Sequence, residues 1–115
     1  MNWSALESTE QLDEIQQASK ENVVLIFKHS TRCSISRAAL DRFERNWSVE
    51  DLKNVKPYYL DLIANRTVSN QVAQVFNVDH ESPQVLIIKD GKSVYDRSHL
   101  EIDYKSIKSF ISKEG

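Results

Sequence analysis

The sequence predicts an α/β domain built on a central mixed sheet of four to five strands flanked by helices, and three stretches carry that prediction. Val23-Val24-Leu25-Ile26-Phe27 is a continuous apolar run, β-branched or aromatic except at Leu25, of the kind that forms a central strand buried on both faces. A helical pattern follows, with Ile35, Ala38, Ala39 and Phe43 recurring at three- and four-residue steps between Arg37, Asp41, Arg42 and Glu44. Further on, Asp90-Gly91 separates two strand-like runs as a hairpin turn. Strand-helix-strand crossovers demand parallel strands and the hairpin an antiparallel pair, so the sheet is mixed.

Taken in order, Trp3 and Leu6 are compatible either with a short edge strand or with side chains tucked against the core. Ser8-Thr9-Glu10-Gln11 reads as a capping box opening a helix to about Lys20, with Leu12, Ile15 and Ala18 inward. The central strand and the Ile35–Phe43 helix come next, and Ser48-Val49-Glu50-Asp51 after Trp47 reads as the cap of a short extra turn. Lys56–Leu62 is a second strand, in which Pro57 is tolerable only near the start. Val68, Val72, Val75 and Phe76 mark a helix over 67–76 that Asn77 ends in a left-handed conformation. Tyr58 and Tyr59 alternate across their strand, one in the core and one under a helix, while Trp3 and Trp47 are candidates for an exposed partner surface. Gln84–Lys89 pairs through Asp90-Gly91 with a strand around Ser93–Tyr95, and a last helix over 102–113 turns Ile107, Phe110 and Ile111 inward, with Ser98 or Asp103 as cap.

The 115 residues form a single domain, 1–115, long enough to bury a core without metal or disulfide staples. Forty per cent apolar and 28% charged residues, with two glycines and two prolines, exclude a disordered or fibrous chain. A net charge of −2 with interspersed signs argues against nucleic-acid or membrane-surface binding. No signal peptide or membrane span is expected, and one cysteine makes no internal disulfide, so a reducing cytoplasm is the expected location.

That cysteine, Cys33, stands where the central strand hands over to a helix. The first N–H groups of a helix lack partners within it and carry the positive end of its dipole, so a thiolate there is stabilised over the thiol. Arg32 adds a neighbouring positive charge, and Ser30, Thr31, Ser34 and Ser36 make the setting polar. Both features mark a reactive nucleophile rather than an inert core cysteine. The three histidines and Cys33 offer no paired short spacings, so no metal is expected.

A cysteine at a strand-to-helix turn, followed by Ser82-Pro83 just before a strand and by the Asp-Gly hairpin, resembles the thioredoxin fold. The resemblance implies a cis Ser82-Pro83 bond beside Cys33, with backbone groups there to pair with a bound extended chain. More narrowly, Phe27-Lys28-His29-Ser30-Thr31-Arg32-Cys33-Ser34-Ile35-Ser36 resembles the monothiol bacilliredoxin family, whose usual core is Lys-His-Ser, two variable positions, then Cys-Pro-Ile-Ser. Lys28, His29, Ser30, Cys33, Ile35 and Ser36 match, and Ser34 replaces the family's proline.

This resemblance implies thiol–disulfide exchange on S-thiolated cytosolic proteins. Cys33 is the expected nucleophile, and Arg32, Ser34 and Ser36 are expected to hold the thiolate. Thr31, Ser82 and Pro83 are expected to position the substrate, while Lys28, His29 and Ser30 support the turn. Ser36 occupies the place of a resolving cysteine and is expected to donate a hydrogen bond to the thiolate, without the ability to form a disulfide. No bound cofactor is expected; bacillithiol or an equivalent small thiol is the expected co-substrate, and that thiol or a reductase recycles the adduct. The alternative is a non-catalytic binding module or redox sensor whose cysteine is capped under oxidative stress.

Overall fold

In the computed structural model, which describes residues 3–48 and 54–114, five strands form one sheet with two helices on each face. The elements are β1 (Ser4–Ala5), α1 (Glu10–Ala18), β2 (Val23–His29), α2 (Ser34–Asn46), β3 (Val55–Asp61), α3 (Arg66–Phe76), β4 (Gln84–Lys89), β5 (Lys92–Ser98) and α4 (Tyr104–Glu114). A 3₁₀ turn at His99–Glu101 separates β5 from α4. The spatial order is β1-β3-β2-β4-β5, with β1, β3 and β2 parallel and β4 and β5 antiparallel to their neighbours. The expected extra turn over 48–51 falls largely outside the described residues.

All seven residues of β2 are buried, because the strand lies at the sheet centre with helices over both faces. Its period-two alternation divides the core. Val23, Leu25 and Phe27 pack with Ala39 and Phe43 of α2 and with Ile107 and Ile111 of α4. Val24 and Ile26 pack on the opposite face with Leu12 and Ile15 of α1 and with Val68, Val72 and Phe76 of α3.

The N-terminal segment satisfies both sequence expectations. Ser4–Ala5 pair with Tyr58–Tyr59 as an edge strand, while Leu6 is fully buried and Trp3 packs edge-on to Phe27, 6.0 Å between ring centroids. Both tryptophans therefore belong to the aromatic cover of the core and not to an open partner surface. Pro57 sits opposite Leu25. The Tyr59 carbonyl accepts the Leu6 N–H at 2.8 Å, so by alternation the ring nitrogen of Pro57 also faces the β1 side, and the β2–β3 ladder loses no donor.

Of the capping box at α1, only the returning half forms. Gln11 Oε1 accepts the Glu7 and Ser8 N–H groups at 2.7 and 3.0 Å, but Thr9 is the residue preceding the helix and its hydroxyl makes no capping bond. Asn77 ends α3 at φ 54°, as expected, and Asp103 caps α4 by accepting the Ser106 N–H at 3.1 Å. Asp90 and Gly91 turn the β4–β5 hairpin with φ of 53° and 77°. Buried Ser19 holds that turn to the end of α1 by accepting the Asp90 N–H on its carbonyl and the Gly91 N–H on its hydroxyl.

Candidate functional site

Cys33 is the residue preceding α2, in extended conformation, and its side chain is partly exposed. Its N–H donates to the Ser30 carbonyl at 3.1 Å, and its own carbonyl accepts the first helical bond, from Arg37 N–H at 3.0 Å. No side chain caps this helix end, so the first-turn N–H groups remain open to an anion formed on the sulfur. Arg32 and Ser34 lie exposed on either side of Cys33, and Thr31 is half-buried within the turn.

The buried stripe of α2 is rotated from the one the sequence pattern predicted. Ser36, Ala39 and Phe43 face inward, whereas Ala38 is exposed and Ile35 is 61% exposed beside the cysteine. The inner position of the first turn is thus polar. Ser36 fills it because the hydroxyl has two partners at the end of β2. It accepts the Ser30 N–H at 3.0 Å and lies 2.6 Å from His29 Nδ1. The expectation that Ser36 bonds the Cys33 sulfur is corrected by this geometry: the hydroxyl is engaged beneath the turn. Ser30 and His29 both meet Ser36, which joins the end of β2 to the first turn of α2.

Burial, reinforced by the charge of Arg37 and opposed by Asp61, holds the His29 pKa below its usual value, so the imidazole is neutral at pH 7. The Ser36 hydroxyl is thus shared between the Ser30 N–H, from which it accepts, and His29 Nδ1. The His29 carbonyl also accepts Leu62 N–H at 2.9 Å, tying β2 to the end of β3.

Lys28 does not support the turn. Alternation along β2 sends its side chain to the α1/α3 face, where it is fully buried with Nζ 3.3 Å from both the Ser69 carbonyl and His80 Nδ1. Its neighbour His29 points to the other face, and this period-two rule applied to Lys28-His29 is the signal that separates their roles.

The second wall of the site comes from the α3–β4 connection. β2 and β4 pair antiparallel, and the ladder ends with Lys28 opposite Gln84, so Ser82 and Pro83 lead into β4 at the end of the sheet where β2 hands over to the Cys33 turn. The Ser82-Pro83 peptide bond is cis. Pro83 is buried and its carbonyl accepts His99 N–H at 3.0 Å. The Ser82 hydroxyl is buried without a partner. Leu100, next to His99, is 85% exposed, and Ile63 after β3 is 40% exposed, so apolar side chains stand at the same end of the sheet as Cys33. The residue pattern carried no sign of that grouping, since it arises from three separate loops.

Among the described residues, no three or more His, Cys, Asp or Glu side chains gather as a metal site, and no helix is long and apolar enough to cross a membrane. The arrangement offers one accessible sulfur at a helix N-terminus, with a second wall of backbone beside it. That is the equipment for attack on a disulfide sulfur.

Comparison with known proteins agrees with this reading. Residues 4–107 match the family model described as monothiol bacilliredoxin BrxC. A solved structure described as a candidate oxidoreductase with a thioredoxin fold is 30% identical, with a TM-score of 0.76 over 91% of this chain and 89% of that one. Thioredoxin from Fasciola hepatica, at 18% identity, superposes with a TM-score of 0.71 over 96% of this chain and 98% of its own. Thioredoxin from Trypanosoma brucei brucei, at 14% identity, gives 0.75 over 98% and 90%. The two thioredoxins establish the fold.

Proposed function

The chain belongs to the monothiol bacilliredoxin family, a thiol–disulfide redox family with a thioredoxin-like fold, and from that premise we propose that it removes a small thiol of the bacillithiol type from mixed disulfides on bacterial cytosolic proteins. The observation that carries the reading is a single, partly exposed cysteine at a helix N-terminus with serine, not cysteine, at the buried third position after it.

The Cys33 thiolate attacks the small-thiol sulfur of the mixed disulfide. A new S–S bond forms between Cys33 and the small thiol as the old one breaks, and the protein sulfur leaves as a thiolate that takes a proton from water. A second small-thiol anion, or a reductase thiolate, then attacks the adduct on the small-thiol sulfur and regenerates Cys33. Ser36 cannot compete for the adduct, because a hydroxyl forms no disulfide. Arg32 and Ser34 flank the attacking sulfur at the start of α2, and Thr31, Ser82 and Pro83 line the approach of the protein chain. This assigns the recycling step to a second molecule.

Intact mass spectrometry tests the proposal. Reduced protein is mixed with a model protein capped by bacillithiol and, separately, by glutathione, with Cys33→Ser as control. Transfer of the cap to wild type and not to the variant supports the reading, and the faster cap names the thiol. If neither cap moves while Cys33 remains open to alkylation, the exchange reading fails and a capped, non-catalytic sensor becomes the better description.

A further inference from the structure

Lys28 is a fully buried ammonium on the sheet face opposite α2, and no carboxylate lies among its hydrogen-bond partners. An unpaired buried charge is costly and needs a structural reason. Its partners supply one. The Ser69 carbonyl belongs to α3, and His80 belongs to the connection that leads from α3 to Ser82 and Pro83. The Lys28 ammonium can only donate, so Nδ1 is its acceptor, and Ser69 Oγ lies 3.3 Å from the same nitrogen. Nδ1 is free to accept because the imidazole is neutral, its pKa lowered by burial and by the charges of Lys28 and Arg66 against that of Glu81.

Gln84, directly across from Lys28, completes the anchorage. Its Nε2 donates to the Asp79 carbonyl at 3.0 Å and reaches Ser98 Oγ at 3.4 Å, while its Oε1 is buried without a partner. The connection over 78–83 is therefore held at His80 by a side chain rooted in the central strand and at the adjacent Asp79 by Gln84. Resting on the exchange reading above, we propose that Lys28 is a positioning residue for the substrate-facing wall: through His80 it holds the connection carrying Ser82 and Pro83 in register with the Cys33 turn. Lys28 and His29 then serve one site from opposite faces, His29 securing the nucleophile's wall and Lys28 the substrate's.

Two variants and two readouts test this. Lys28→Met keeps the volume and removes the donors; His80→Ala removes the acceptor at an exposed residue and leaves the core untouched. Hydrogen exchange is followed in peptides covering 77–84 and 97–103, which report the Val78 N–H bond to Ala73 and the His99 N–H bond to Pro83. The expected result is faster exchange in both peptides, by tenfold or more, with β2 unchanged. In rate measurements, transfer from a protein mixed disulfide is expected to fall at least fivefold while alkylation of Cys33 by iodoacetamide stays within twofold. Unchanged exchange in His80→Ala overturns the proposal whatever the activity does, as does a parallel fall in transfer and alkylation. If wild type transfers no cap but the variants still loosen these peptides, the anchorage stands and the exchange reading alone has failed.

Discussion

His29 Nδ1 lies 2.6 Å from Ser36 Oγ, and that contact joins the last residue of the central strand to the first turn of the helix carrying the nucleophile. The same hydroxyl accepts Ser30 N–H, so one buried serine holds the turn in which Cys33 sits. Ser36→Ala leaves a buried N–H and a buried imidazole nitrogen without partners. A stability loss of about 1–3 kcal/mol is expected, read as a lower urea midpoint at unchanged slope. Cap transfer is expected to slow with it, since the turn loses its internal tie. An unchanged midpoint would show that the contact contributes nothing.

His29 also sets an acid limit. Its native pKa lies below 6.5, so below that pH the unfolded chain binds a proton that the native chain resists, and stability falls as pH drops. His80 acts in the same direction. Urea titrations between pH 7 and about pH 5, above most of the carboxylate range, are expected to show this decline. His29→Phe should make it shallower, and adding His80→Ala should remove most of what remains.

Lys28 acts at the alkaline end. Burial lowers its pKa from 10.5 to about 8, which corresponds to about 3 kcal/mol of destabilisation while the amine is charged. Between those values the unfolded chain holds the proton and the native chain does not, so stability rises as pH increases from about 8 to about 10. Beyond that, Tyr58, Tyr59 and Tyr95, whose pKa values are raised by burial, reverse the trend. Lys28→Met should be at least as stable as wild type at pH 7 and should lack the rise. Denaturation at pH 7, 8 and 9.5 checks both statements, and a variant that keeps the rise refutes the assignment.

Trp3 closes one face of the aromatic core. Its ring meets Phe27, Phe43, Trp47 and Tyr59 within 6.3 Å between centroids, and its Nε1 donates to Glu44 at 2.9 Å. Trp3→Ala is expected to cost about 2–3 kcal/mol, somewhat less than the loss of a fully buried tryptophan, and to change the emission of Trp47. Thermal unfolding followed by fluorescence measures both.

Gly91 separates backbone strain from crowding. Its φ is 77°, and a Cβ placed there would meet nothing within 4 Å. Gly91→Ala should therefore cost about 1 kcal/mol from the left-handed backbone alone. A larger loss would mean that the hairpin clamp on Ser19 is also disturbed.

Much of the molecule was legible in one dimension. The apolar run of β2, the left-handed stop at Asn77 and the Asp90-Gly91 hairpin are local signals, and each element formed where its pattern lay. The N-terminal segment was legible only as a pair of alternatives, because a two-residue edge strand has no periodicity of its own. Helix α2 lies where the pattern places it but presents a different face to the core. Hydrophobic spacing favoured Ile35 and Ala38 as inner residues, yet the end of β2 offered a histidine and an unpaired N–H, and only a hydroxyl at Ser36 satisfies both.

The sequence by itself determined the order of strands and helices, the single thiol, its place at a helix N-terminus and the family to which the chain belongs. These follow from nearest-neighbour chemistry and from periods of two and 3.6 residues. Which side chains meet was decided by the tertiary structure. Lys28 and His29 are adjacent in the chain and serve opposite faces of the sheet, and the β2–β4 register sets Gln84, the residue after Pro83, across from Lys28. Such meetings depend on how strands pair and on which face a helix covers, and those are settled by burial of the whole core at once.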